Sequence, residues 1–185
     1  MIGWSGPGSL RGLSLIRIPP CCGPYPSYYG DRVPNAAIAA VTAAGIAHEV
    51  VRHGPVSSVA EAAATQGVEL RDLVKTLVVR RGPDDFLFVL VPGDRSISWP
   101  KLRAVLGVNR LSMPDAATAK AATGYERGTI TPFGAATAWS VIADERTRGR
   151  TVGLGAGERG VALRVGADAA VAALGGEYAD VTDPA

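Results

Sequence analysis

The sequence predicts an α+β fold: a single domain with a mixed, mostly antiparallel β-sheet and short helices packed against it. Three observations carry this. KTLVVRR and FLFVLVPG are strongly apolar and flank a polar turn, RGPDD, as the two strands of a hairpin do. TVGLG and GVALRV form a second apolar pair around a glycine-rich loop. The alanine-rich stretches NAAIAAVTAA, SVAEAAATQG and ADAAVAALGG are helix-like but short, and no regular β-α-β alternation connects them.

The elements follow in order. Residues 1–33 are rich in Gly, Pro and Ser and lack sustained periodicity, so they read as a disordered or loosely attached extension. Arg17 interrupts their only apolar stretch, which makes a poor signal peptide. The regular domain spans 34–185. Asn35 starts a helix that Gly45 stops. HEVVRH reads as a short strand. Ser58 and Glu61 form a capping box for a helix ending at Gly67, and ELRDL adds one further turn. The two hairpin strands follow, both apolar enough to be central in a sheet. Ser98 is placed to cap a helix carrying Pro100 in its first turn, and Ser112 to cap the next, through DAATAKAATG. GYERGTITPFG is a loop, AWSVIAD a strand, and the tail EYADVTDPA holds a short ADV segment.

Charge narrows the function. The net charge is +2, and residues 1–33 hold three arginines and one aspartate, so the remaining 152 residues are neutral overall. A broad, sequence-blind nucleic-acid surface needs a basic excess. Any contact with nucleic acid is therefore expected to be local, such as a strand end in a pocket. Cys21 and Cys22 are adjacent and lie outside the domain. No disulfide framework follows, and a reducing, cytoplasmic setting fits. His48 and His53 are the only histidines. With no cysteine in the domain, neither a zinc site nor a Cys–His nucleophilic pair is expected. No apolar run reaches the length of a membrane span.

Gly155, Gly157 and Gly160 have the G-x-G-x-x-G spacing of dinucleotide-binding folds. That motif works only where the glycines open a helix whose amides hold the pyrophosphate. Here GVALRV follows, a strand, and no β-α-β unit surrounds it. The expectation is a strand–loop–strand hairpin, not a cofactor site.

Several residues are candidates for chemistry. Lys75 heads an apolar strand and reads either as a solvated strand end or as a fixed cation at a pocket mouth. GYERGTITPFG, with Gly124, Gly128, Gly134 and Pro132, reads either as a connector or as a loop that points amides at an oxygen-rich ligand. His53 is either surface or a base. Asp84 and Asp85 read as turn-formers.

At these residues the chain resembles a known family, the YbaK and prolyl-tRNA synthetase editing domains, which are aminoacyl-tRNA deacylases. VKTLVV is similar to the family's Lys-Thr strand head. GYERGTITPFG matches its G-Y-x-x-G-x-x-x-P-x-G loop at every fixed position. GAGERG is close to its Ser-Gly-Gly-x-x-Gly segment. The resemblance covers about residues 34–182. It implies a stand-alone trans-editing hydrolase that cleaves the ester of a mischarged tRNA carrying a small amino acid, without metal or cofactor. It implies that Lys75 helps hold the 3′-terminal adenosine and the ester, and that Gly128 to Pro132 place amides near the scissile carbonyl and seat the water. Lys75 and Gly128 are then the catalytic positions. Thr76, His53, Gly124, Tyr125, Thr129, Ile130, Thr131, Pro132, Gly155, Gly157, Arg159 and Gly160 are the implied substrate-binding ones. The implied partners are the 3′ CCA end of an aminoacyl-tRNA and, further, an aminoacyl-tRNA synthetase. Two positions depart from the pattern: the family's serine is Gly155, and an aspartate that some members carry in the next strand is Ala162. These departures leave a second reading, a non-catalytic module of the same fold that docks on a synthetase or an RNA end.

Because every implied site residue lies beyond residue 33, a chain starting at Pro34 is expected to deacylate as fast as the full chain. A large loss of initial rate would contradict this.

Overall fold

The structure is a computed structural model that describes residues 35–185. The expected extension, residues 1–33, lies outside them. In chain order the elements are α1 (Ala36–Ala43), β1 (His48–Arg52), α2 (Val59–Thr65), β2 (Val74–Gly82), β3 (Asp85–Pro92), β4 (Arg95–Ile97), α3 (Trp99–Leu106), α4 (Ala116–Thr123), β5 (Ser140–Asp144), β6 (Thr151–Gly155), β7 (Val161–Gly166), α5 (Ala167–Ala173), β8 (Glu177–Ala179) and β9 (Thr182–Pro184). Single 3₁₀ turns lie at Leu70–Asp72 and Glu145–Thr147.

The strands form three sheets with orders β1-β7-β6, β2-β3-β5-β8 and β4-β9. Pairs β3–β5 and β5–β8 are parallel and the other four are antiparallel. A single parallel bridge between Leu73 and Gly153 joins the first two sheets. β3 is buried on both faces, which is why FLFVLVP shows no polar alternation. Phe86, Phe88 and Leu90 enter the core shared with α1, α5 and the β1-β7-β6 sheet. Leu87, Val89 and Val91 enter a second core with Leu102 of α3 and Val181.

Several expectations are corrected. β2 is an edge strand of its sheet, not a central one. Its polar residues Lys75, Thr76 and Arg80 agree with that position. Ser112 does not cap α4, because its backbone is paired with Arg80; Asp115 caps it instead, accepting from the Thr118 amide at 2.7 Å. The Ser58 hydroxyl caps α2 through the Glu61 amide at 3.1 Å, but the Glu61 carboxylate reaches Ser57 rather than Ser58. Ser98 occupies the N-cap of α3 without a side-chain cap bond. In the tail, β8 ends at Ala179, the first residue of the ADV segment, and β9 begins just after it, so the segment mainly links two strands.

Asp144, at the end of β5, is fully buried and gathers the C-terminal segment. Its carboxylate accepts from the Thr182 hydroxyl at 2.7 Å, the Val181 amide at 3.3 Å and the Arg146 guanidinium at 3.2 Å. Thr182 in turn accepts from Arg95 Nε at 2.6 Å, which fixes the β4 strand and the turn before it. Replacing Asp144 with Ala strands the buried Thr182 hydroxyl and Val181 amide, while Arg146 keeps Asp180. Equilibrium urea unfolding of the Asp144→Ala variant is expected to show a loss of about 2–3 kcal/mol; a loss under ~0.5 kcal/mol would show that the network is not what holds the tail.

Candidate active site

A cleft of about 890 Å³ opens along the outer edge of β2. Its walls come from β2, the N-terminal part of α2, the Met113–Ala116 segment, the Gly128–Ile130 loop and the hairpin loop at Gly155–Val161. The volume suits a ligand much larger than an amino acid.

Nine of the expected site residues meet on this wall: His53, Lys75, Thr76, Gly128, Thr129, Ile130, Gly155, Arg159 and Gly160. Five do not. Gly124 is the left-handed C-cap of α4. Tyr125, Thr131, Pro132 and Gly157 lie outside the lining, where they pack and shape the two loops.

The two loops interlock. The Gly157 amide donates to the Thr129 carbonyl at 2.9 Å. The Tyr125 ring lies on Gly157, so that a Cβ there would sit 2.4 Å from ring carbon Cε1. The Tyr125 hydroxyl donates to the Phe133 carbonyl at 2.8 Å and so holds the ring. At Gly155 a Cβ would press on the carbonyl oxygens of Thr129 and Ile130 at 3.1 Å. At Gly160 it would meet the His53 carbonyl at 2.6 Å, while the His53 amide donates to the Gly160 carbonyl at 2.9 Å. Asn35 adds a tie from α1, donating to the Ala156 carbonyl at 2.9 Å. Each glycine of the G-x-G-x-x-G run is thus a place of close approach. The segment after it is a strand, β7, as expected, so the geometry of a pyrophosphate-binding helix start is missing.

The interlock leaves two backbone amides without a protein acceptor among the described residues. The Thr129 amide is spent on the Glu126 carbonyl at 3.0 Å, and the Thr129 carbonyl on Gly157. Among the described residues, the Gly128 and Ile130 amides donate to no protein acceptor. Gly128 has φ +91° with no atom within 4 Å of a notional Cβ, consistent with a backbone facing open space.

Lys75 is held rather than loose. Its ammonium donates to the Gly93 carbonyl at 3.2 Å and to the Arg95 carbonyl. Of three N–H groups, two are thereby taken and one remains for a ligand. Burial pushes its pKa below the ordinary lysine value, and nearby Asp94 opposes that shift. Thr76 Oγ1 is shielded from solvent and has no partner among the described residues. His53 Nδ1 contacts the Gly54 carbonyl at 2.7 Å. A carbonyl only accepts, so Nδ1 is the donor in this contact. Among the described residues no group of three or more His, Cys, Asp or Glu is placed to hold a metal ion.

Sequence reasoning missed part of the wall. Gln66 lines the cleft, 7% exposed, with its Oε1 pressed against Gly153 and without a partner among the described residues. Nothing in its position after α2 signalled this. Val59 and Met113 are large apolar residues left 40% and 49% exposed, and both line the cleft. Such apolar exposure in a concavity is a mark of a binding site.

The fold and the cleft define an α+β domain whose ligand-sized hollow is walled by a lysine-bearing edge strand and two interlocked glycine loops. The model of the aminoacyl-tRNA editing domain family matches residues 53–171, and the chain belongs to that family. A candidate Cys-tRNA(Pro)/Cys-tRNA(Cys) deacylase, EbsC of Enterococcus faecalis, is 27% identical over 131 residues, which are 70% of this chain and 78% of that one. A proline–tRNA ligase of Thermosipho africanus is 39% identical over 80 residues, 43% of this chain but only 14% of the ligase. A crystal structure of a candidate trans-editing enzyme for prolyl-tRNA synthetase superposes with TM-score 0.74 at 24% identity, covering 81% of this chain and 98% of that one, which shows a shared fold.

Gly157→Ala is expected to destabilise the protein by about 2–4 kcal/mol, from left-handed strain plus the overlap with Tyr125. Gly67 has a similar φ, +65°, and nothing near its Cβ, so Gly67→Ala measures the strain alone. Equal losses in urea unfolding would remove the Tyr125 contact from the account.

Proposed function

We propose that the protein is a trans-editing hydrolase that cleaves the ester of a mischarged aminoacyl-tRNA in this cleft. Membership of the editing family supports the reaction class. The observation that carries the site is the juxtaposition of Lys75, with one N–H to spare, and the unengaged Gly128 and Ile130 amides on one wall. Ester hydrolysis develops negative charge on the carbonyl oxygen, and preorganised amides aimed at it contribute about 3–4 kcal/mol each. In this reading Lys75 holds the 3′-terminal adenosine and the ester, while the 128–132 segment receives the oxyanion and seats the water. The chemistry needs no metal or cofactor, because both charge stabilisers are protein groups. The cytoplasm, where charged tRNA circulates, is the fitting compartment.

The cleft wall also bears on specificity. Val59, Met113 and Ile130 present apolar surface, and apolar pockets discriminate by only ~1–3 kcal/mol per methylene. Activity on several small aminoacyl groups follows. A synthetase partner is a further part of this reading, suggested by the ligase relative.

One observation favours a second reading. Lys75 is already engaged by two carbonyls, as a structural lysine would be, and a non-catalytic module docking on a synthetase or RNA end would need nothing more of it.

Hydrolysis of tRNAs charged with Ala, Ser, Cys, Pro and Thr separates the two. The expected result is release of one or two amino acids, reduced on the order of 10²-fold by Lys75→Ala with the melting temperature kept. Release from none of them above the spontaneous rate would favour the docking module.

A further inference from the structure

A second concavity, about 460 Å³, lies beside the cleft and has a different character. Four arginines line it: Arg80 and Arg81 from the far end of β2, Arg103 from α3 and Arg110 from the segment after it, with Asn109 among them. Only Arg81 is neutralised, by a two-pronged pair with Asp85 at 2.8 and 3.0 Å. Arg80 Nε donates to the Gly82 carbonyl, which leaves its terminal nitrogens. Arg103 and Arg110 have no hydrogen bond or ion pair with any described residue. Asp115, the nearby acid whose carboxyl Arg80 helps lower, caps α4 and keeps its negative charge, so it offsets part of the Arg80 charge. Asp84 lies in the adjacent turn, exposed. Arg103 and Arg110 thus stand unpaired among the described residues, beside an Arg80 that Asp115 offsets only in part, on a domain whose net charge is zero. Their mutual repulsion costs free energy that an anion would relieve.

Position identifies the anion. β2 residues 74–78 wall the cleft and 80–82 wall the arginine concavity; residues 113–116 wall the cleft and 109–112 the concavity. One mutual backbone pair, between Arg80 and Ser112 at 2.8 and 3.1 Å, stands between them. The hollows are therefore consecutive along one strand edge. Lys75 to Arg80 is five residues of strand, about 16 Å, or roughly four to five stacked nucleotides at ~3.4 Å each.

We infer that this concavity is a backbone subsite that grips the phosphodiesters of the RNA strand whose 3′ end enters the cleft. The inference rests on the proposed deacylase reading and deepens it. The body then needs no general basic excess, because its contact with RNA is confined to a few phosphates.

The test uses the full chain and the double variant Arg103→Gln/Arg110→Gln, with the single exposed reversal Arg110→Glu should the double variant melt early. The first measurement is binding of an uncharged acceptor-stem hairpin with a single-stranded 3′ end, across salt concentrations. The expected result is at least a tenfold weaker Kd, with a log–log salt slope shallower by about 1.4 for two lost phosphate contacts. The second is deacylation: KM for charged tRNA rises about tenfold, kcat holds, and hydrolysis of a 3′-aminoacyl adenosine is unchanged. Loss of hairpin binding in the variants supports the subsite even if the wild type hydrolyses no ester, in which case only the deacylase reading falls. Unchanged hairpin binding and KM overturn the subsite while leaving that reading intact. So does a wild type that binds no hairpin. Titration with inorganic phosphate separates the other source of this chemistry: phosphate binding lost in the variants, with hairpin binding unaffected, would mark a free-anion site and overturn the RNA assignment.

Discussion

Everything at the cleft depends on how closely two backbone loops can approach. The loop after α4 and the loop between β6 and β7 touch through main chain and one aromatic ring, with no side chain between them at Gly155 or Gly157, while Gly160 meets the main chain of His53. Because Thr129 gives its amide to Glu126 within its own loop and its carbonyl to Gly157 across the contact, the neighbouring amides of Gly128 and Ile130 are held in place and have no acceptor among the described residues. A backbone donor fixed in this way loses little freedom when it meets a developing charge, which is the condition for electrostatic catalysis. The glycine spacing that resembles a nucleotide fingerprint is thus a packing device. At Gly155 a side chain would press on two carbonyl oxygens at 3.1 Å.

The lysine on the same cleft wall is positioned from much farther away. Lys75 is gripped by the carbonyls of Gly93 and Arg95. Arg95 is tied to Thr182, and Thr182 to the buried Asp144. A residue at the end of a core strand and the last few residues of the chain therefore set where an ammonium stands on the cleft wall. The buried carboxylate is tolerable because four donors from the chain surround it. On this account the C-terminal strands serve the site, although none of their residues lines it.

The helices at Asn35 and Ser58, the β2–β3 hairpin and the strand after the glycine loop are legible from local signals, because a cap, a turn or a run of β-branched residues is a short-range property. What stayed hidden was long-range. β4, β8 and β9 have three residues each, too few to display periodicity, and exist only through partners distant in the chain. The parallel pairing of β3 with β5 crosses two helices and has no local trace. Ser112 looked like a cap because serine is a good one; the pairing with Arg80 took its backbone instead. The same limit applied at the site. Lys75 and the 124–134 loop stood out by residue type and pattern, but Gln66 and the exposed Met113 are on the wall only because α2 and the segment before α4 fold over β2.

The most direct test is a crystal structure of the chain with a non-hydrolysable 3′-aminoacylamino adenosine. The account predicts the ligand in the cleft, its acyl oxygen about 2.7–3.1 Å from the Gly128 or Ile130 amide, and its adenosine against Lys75. A ligand bound elsewhere, or one seated in the cleft with its acyl group turned away from both amides, would contradict the claim that the interlocked loops are what receives the scissile carbonyl.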